Sequence, residues 1–243
     1  MNLHLSRLRL RRDPDVAALA HLLLPKTEGA RVAAGHRLLW SLFADSPDRA
    51  RDFLWCEDAG GTWQRATFLI LSRRRPQDTR GLFEIETKPF APVLAPGQRL
   101  GFRLRASPAA SDTPTAVGRR GKRIDPVARA LRDLPPEVRA ERRHSVLQEV
   151  GAGWLARQGA RAGFTLCDAE APSGTRQPCL SVDGERWNVL PREGAAPVRF
   201  SSLDFEGVLR VEDPSLFLAA LAEGFGRAKA FGCGLMLIRP NRG

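Results

Sequence analysis

No CxxC pair, no apolar run long enough to cross a bilayer and no tyrosine occur in these 243 residues. Cys56, Cys167, Cys179 and Cys233 are scattered, which argues against a zinc site and offers no disulfide framework. No cluster of metal-ligating residue types is visible, so neither a metal ion nor another cofactor is expected. Nothing near the N-terminus reads as a signal peptide. A reduced, cytoplasmic protein without a membrane partner is the expectation. Acidic residues are in short supply too: 27 Asp and Glu face 38 Lys and Arg, leaving a net charge of +11. An excess of that size points to a polyanionic partner or an acidic surface rather than to a small neutral substrate.

What is present suffices for a packed interior. The chain is 43% hydrophobic and 27% charged, and its length suits one large domain or two of ordinary size. The opening "LHLSRLRLRR" alternates as a half-buried strand does. The parity of its leucines shifts between Leu5 and Leu8, so a bulge is expected near Ser6 and Arg7. Asp13-Pro14 signals a helix running to about Leu24, and a second helical piece follows from about Arg31 to Phe43. "RDFLWCE", "RATFLILS", "LFEIETKPF" and "RLGFRLRA" read as strands. Asp125-Pro126 repeats the helix-start signal, after which Val146, Leu147, Val150, Trp154 and Leu155 recur at helical spacing. "FTLCDA", "PCLSVDGERWNVL" and "LDFEGVLRV" read as further strands, with a hairpin turn expected at Asp183-Gly184. Asp213-Pro214 starts a last helix ending near Glu223, with Gly224 as its C-cap and "LMLIRP" as a buried final strand. The second half thus runs strand, helix, strands, helix, strand, and the first half admits a similar order. That is the split βαβ pattern, and it predicts an α+β chain of two tandem ferredoxin-like domains, 1–95 and 96–243. No close internal repeat accompanies the duplication.

The stretch "GFGRAKAFGCG", Gly224 to Gly234, is the most unusual. It is not a Walker loop, because Lys229 is followed by Ala230. Nor is it a dinucleotide fingerprint, because it runs from a helix end into a strand. Arg227 and Lys229 are placed to hold a phosphate, and Gly224, Gly226, Gly232 and Gly234 free backbone N–H donors to join them. A plain helix cap with a tight lead-in to a buried strand fits the spacing equally well. "GRRGKR" concentrates Arg119, Arg120, Lys122 and Arg123 around a glycine, as a polyanion contact or as a solvated loop. Of four histidines, His4, His21 and His144 read as packing or surface residues. His36, in "VAAGHRLLWSLF", opens an amphipathic segment beside Arg37. An imidazole exchanges protons near neutral pH, which makes His36 the candidate general acid or base. Arg37 favours its neutral form and can itself hold a phosphate.

Taken together, "GHRLLWSLF" at 35–43, "ARDFLW" at 50–55, "RLGFRLRASP" at 99–108, "FEGVLRVEDP" at 205–214 and "GFGRAKAFGCGLMLIRP" at 224–240 resemble the CasE family. These are the CRISPR repeat-processing endoribonucleases of the type I-E Cascade complex. The resemblance keeps its order from end to end and is patchy between about 109 and 200. It implies tandem ferredoxin-like domains of the RAMP type, a bound CRISPR repeat RNA hairpin, Cascade protein subunits as partners, and metal-free cleavage at the hairpin base. By position, His36 matches the catalytic histidine, Arg37 the basic residue after it and Lys229 the lysine of the glycine-rich loop. Arg192 is the candidate for the basic hairpin that enters the RNA groove. One departure stands out: the tyrosine usual three residues before the histidine is Ala33 here. Lys26, Arg31 or Lys229 are the candidate replacements. Two alternatives remain open, a hairpin-binding subunit with weak or no cleavage and a general basic RNA-binding protein.

Overall fold

In a computed structural model, residues 2–23, 25, 27–43, 51–58, 67–111, 123–170, 176–192 and 194–241 are described. Strand β1 (His4–Leu10) runs without a break in register against its neighbours, so the bulge expected near Ser6 and Arg7 is absent. The leucine parity has another cause. Ser6 and Leu8 face a core beneath one side of the strand, while Leu3 is buried in a second cluster. That second cluster joins Leu3, Leu54 and Leu71 to Leu235, so it seals the two halves of the chain together.

Helices α1 (Pro14–Leu23) and α2 (Glu28–Trp40) follow. Then come β2 (Phe53–Glu57), β3 (Thr67–Ser72) and β4 (Phe83–Pro89). The sheet order is β2-β3-β1-β4, all antiparallel. Residues 73–82 between β3 and β4 hold bends and a turn where a complete split βαβ unit has its second helix.

The second half begins with β5 (Arg99–Ala106) and a small ladder of β6 (Ala110–Ser111) with β7 (Arg123–Ile124). Helices α3 (Pro126–Arg132) and α4 (Arg139–Ala162) come next, then the short strands β8 (Phe164–Leu166), β9 (Asp168–Glu170) and β10 (Arg176–Pro178). A long hairpin of β11 (Leu180–Arg192) and β12 (Ala195–Val211) leads to α5 (Pro214–Glu223) and β13 (Met236–Pro240). The order β11-β12-β5-β13 repeats that of the first sheet. Both halves are ferredoxin-like, in tandem, the first with its second helix reduced to a loop.

The Asp-Pro signals are physical. Asp125 accepts from the N–H groups of Val127 and Ala128, and Asp213 from those of Ser215 and Leu216, so each satisfies first-turn donors that lack a helical partner. The hairpin turn expected at Asp183-Gly184 is not there. β11 continues through it, with a register shift between Asp183 and Arg186 and Gly184 at φ +59°. A Cβ at Gly184 would run into the Asp204 carboxylate of β12. Bulge and turn both ask for positive φ, so Asp-Gly serves either. The turn proper pairs Arg192 with Ala195, beside Gly194 at φ +66°.

Candidate active site

The two halves meet where α2 crosses β11 and where the glycine-rich loop packs against α2 and β2. Gly29 of α2 lies against the Val189 carbonyl, close enough that a Cβ would collide with it. Two turns further along the same helix, His36 faces the loop, since positions seven apart share a helix stripe. The loop is a short 3₁₀ turn, Lys229–Phe231, between glycines. Trp55 of β2 is the wedge beneath it. Its indole N–H donates to the Ala230 carbonyl at 3.0 Å. A Cβ at Gly35 would stand 3.1 Å from the Trp55 ring, and one at Gly232 3.2 Å. Both glycines are there so that helix and loop can close on one indole.

His36 sits in a row of rings that spans both halves. Phe200 of β12 stacks on Phe231 with centroids 5.8 Å apart, and Phe231 meets His36 edge-on at 5.5 Å. Trp40 lies 5.9 Å beyond. The imidazole is half-buried, and its Nδ1 is shut from solvent with no partner among the described residues. A buried nitrogen left unpaired costs about 1–3 kcal/mol. Burial is the main influence holding the His36 pKa below its ordinary 6.5. The Ala230 carbonyl opposes it, and the Arg51 and Arg37 charges reinforce it. The ring is thus neutral at physiological pH.

Lys229, in the same loop, donates from Nζ to the Glu223 carbonyl at 2.8 Å, capping the last turn of α5. Burial, and after it the Arg51 charge, holds its pKa below the ordinary 10.5. Arg51 therefore acts on both His36 and Lys229. Its Nη1 donates to the Phe53 carbonyl at 2.9 Å, and the neighbouring Asp52 is engaged by Arg74 at 2.7 Å instead. Sequence reasoning missed Arg51. Its only signal was a place in "ARDFLW", a motif that carried the family resemblance without a role for the arginine.

The other candidates divide. Arg37 is exposed on α2 and Arg227 is exposed in the loop, its N–H bound to the Ser107 carbonyl. Gly224, Gly226, Gly232 and Gly234 take φ of +77°, +74°, +77° and +90°, and Ala228 takes +53°, which a non-glycine residue rarely does. Their donors are only partly free. The N–H of Gly224 goes to Ala220 and that of Gly234 to Arg105, so the cap-and-lead-in reading accounts for those two. Among the described residues, no acceptor takes the N–H of Gly226. Arg119, Arg120 and Lys122 lie outside the described residues, as does Lys26. Arg123 begins β7 and Arg192 ends β11, and their backbones alone are described. Arg31 is tied to Glu57 by an ion pair through both its Nε and Nη2. Of the two candidate replacements among the described residues, Lys229 belongs to the turn whose Ala230 carbonyl and Phe231 ring meet His36.

A cleft of about 360 Å³ opens beside Phe231 between the halves, with Arg31, Asn188, Phe200, Ser202 and Cys233 among its walls. Burial pushes the Cys233 and Cys56 thiols up to about 12, so neither is a nucleophile at neutral pH. Among the described residues, no helix is long and apolar enough to cross a membrane.

The family model described as CRISPR associated protein matches residues 3–240. The Cascade subunit CasE of Escherichia coli is 28% identical over 205 residues, 84% of this chain and 90% of that protein. The CRISPR-associated endoribonuclease Cse3 of Thermus thermophilus is 34% identical over 158 residues, 63% of this chain and 61% of that protein. A structure of Thermus thermophilus Cse3 bound to an RNA representing a pre-cleavage complex superposes with a TM-score of 0.68 at 26% identity, covering 99% of this chain and all of that one. Cas6e from Escherichia coli shares the fold, at TM-score 0.61 and 23% identity over 98% of this chain and 100% of that one. With a tandem ferredoxin-like fold, an ordered set of motifs and a family match from end to end, this chain belongs to the CRISPR associated protein family, with CasE and Cse3 among its relatives.

Proposed function

We propose that the protein is a cytoplasmic, metal-independent endoribonuclease that binds the hairpin of a CRISPR repeat and cuts precursor CRISPR RNA at the base of that hairpin. It then stays with the guide RNA in Cascade. The first domain, residues 1–95, brings His36 and Arg51; the second, residues 96–243, brings the glycine-rich loop with Lys229. The observation that carries the reading is the packing of the Lys229–Phe231 turn against a neutral His36, under the Arg51 charge. Relatives that are an RNA-bound endoribonuclease and a Cascade subunit support it.

The chemistry follows from those groups. His36 takes the proton of the 2′-hydroxyl, and the 2′-oxygen bonds to the adjacent phosphorus. The P–O5′ bond breaks, and the departing 5′-oxygen takes a proton from the Lys229 ammonium. The products are a 2′,3′-cyclic phosphate and a 5′-hydroxyl. Arg51 and Arg37 offset the charge that gathers on the phosphoryl oxygens. With Ala33 in place of the usual tyrosine, the imidazole works on the hydroxyl alone.

Single-turnover cleavage of the cognate repeat hairpin in EDTA tests the reading, with binding measured alongside. His36→Ala is expected to slow cleavage by roughly 10²–10⁴-fold at unchanged affinity. Equal rates for the two proteins would overturn it. Ala33 also favours a second reading, a hairpin-binding subunit that barely cleaves; tight wild-type binding without product would select it. Equal affinity for a scrambled stem would leave only a general RNA-binding protein.

A further inference from the structure

The β11–β12 hairpin carries an aromatic side chain that the site above does not use. Past the bulge, β11 side chains alternate: Asn188 and Leu190 are buried, while Trp187 and Val189 are 63% and 40% exposed. Asn188 pairs across the ladder with Phe200 and shares its face, the one directed at Phe231 and His36. Trp187 therefore stands on the back of the wall whose front is the candidate active site. Consecutive Cα atoms are about 3.8 Å apart, so one strand thickness separates Trp187 from Asn188, and His36 lies beyond Phe200 and Phe231 in the row of rings.

On that back face α4 reaches as far as Arg143, which pairs with Glu185 at 2.7 Å, and leaves the indole uncovered. Arg199 lies opposite Val189, diagonal to Trp187, and is exposed. Among the described residues, no carboxylate pairs with Arg199 and no ring or cation covers Trp187. An indole left this open forgoes a large hydrophobic burial, which few residues of a soluble protein do. The nearby acid is already taken by Arg143, so the local charge left over is positive.

We propose that Trp187 is a stacking platform for an unpaired nucleobase that flanks the RNA stem, with Arg199 holding the adjoining phosphate. The inference rests on the RNA-cleaving reading above. Bases in an A-form stem have their faces buried in the stack, so only an unpaired base offers one to an indole. Aromatic ring and cation side by side are the groups that single-stranded RNA needs, one for the base and one for the backbone. A flanking nucleotide fits better than one in the hairpin loop, because the scissile bond lies at the stem base and Trp187 backs that site.

The test uses the full chain and two RNAs, the repeat stem-loop with its single-stranded flanks and the same stem-loop cut blunt. Trp187→Ala should weaken binding of the flanked RNA by roughly 5- to 150-fold and leave the blunt RNA unchanged. Trp187→Phe, which keeps a ring, should retain most of the affinity. Equal affinity of Trp187→Ala and wild type for both RNAs would overturn the proposal, as would an equal loss on both. Wild-type protein that does not prefer either RNA to a scrambled stem would overturn the functional reading with it, a result visible before any substitution is made.

Discussion

His36 gives up its proton more easily than a free imidazole does, because it is half-buried and two arginines stand near it. The sign of the consequences is set by that direction. A base works when unprotonated, so the acid limb of the rate profile should lie below 6.5, the ordinary value. Arg51→Gln removes one of the charges that disfavours the imidazolium. Its acid limb should move to higher pH, read from single-turnover rates across pH 4–9; an unmoved limb would mean that Arg51 does not act on His36. Stability carries the same sign. The unfolded histidine binds its proton at pH values where the folded one does not, so the contribution is present above 6.5 and is lost as pH falls through the lower folded value. Lys229 is testable by chemistry rather than by pH. Lys229→Met should slow cleavage of an ordinary substrate by roughly 10²–10⁴-fold. It should cut an RNA with sulfur in place of the bridging 5′-oxygen at close to the wild-type rate, since that leaving group needs no proton. A defect of equal size on both substrates would remove Lys229 from the role of acid.

Among the elements, the glycine-rich loop and α2 depend on a side chain from a third, β2. Trp55 holds the Ala230 carbonyl and fills the space that Gly35 and Gly232 leave open. Trp55→Phe keeps most of the ring and loses the hydrogen bond. It should cost about 1 kcal/mol of stability by urea midpoint, and cleavage should fall while hairpin affinity stays put, because the Ala230 carbonyl and Phe231 both touch His36. Unchanged cleavage would mean that the loop holds its shape without the indole. Much of this level was legible in advance. β5 matches "RLGFRLRA" residue for residue, and the Asp-Pro pairs at Asp125 and Asp213 mark helix starts because a carboxylate before a proline is the chemistry of a cap. Gly184 was not legible as a bulge. A turn and a bulge ask the same φ of that residue, and the choice rested on β12 being 17 residues long, so that a partner strand was there on both sides.

The whole molecule is two sheets closed on one another through Leu3, Leu54, Leu71 and Leu235. Leu235 is 2% exposed and directly follows the glycine-rich loop. Leu235→Ala removes a core side chain at the junction of the halves and should destabilise the protein by about 2–5 kcal/mol. Both halves should still unfold in one transition, followed by circular dichroism and by tryptophan fluorescence together. Two separated transitions in the variant would show that the halves fold independently once the junction is weakened. The candidate site needs that junction, since His36 and Arg51 come from one sheet's elements and Lys229 and Phe231 follow the other's last helix.

Composition, the Asp-Pro caps and the strand alternation determined the α+β class, the positive charge and most element positions, because each depends on residues close together in the chain. His36 and Lys229 were nameable for the same reason, each standing inside a recognisable local motif. What only the tertiary structure decided is the company they keep. Phe200 and Phe231 lie far in sequence from Arg51 and Trp55, and no local periodicity records that folding two sheets face to face brings both pairs to the loop beside one imidazole. The same holds for the start of the chain, where Leu8 of β1 and Leu3 just before it sit in two different cores because a second domain covers what an isolated strand would leave to water.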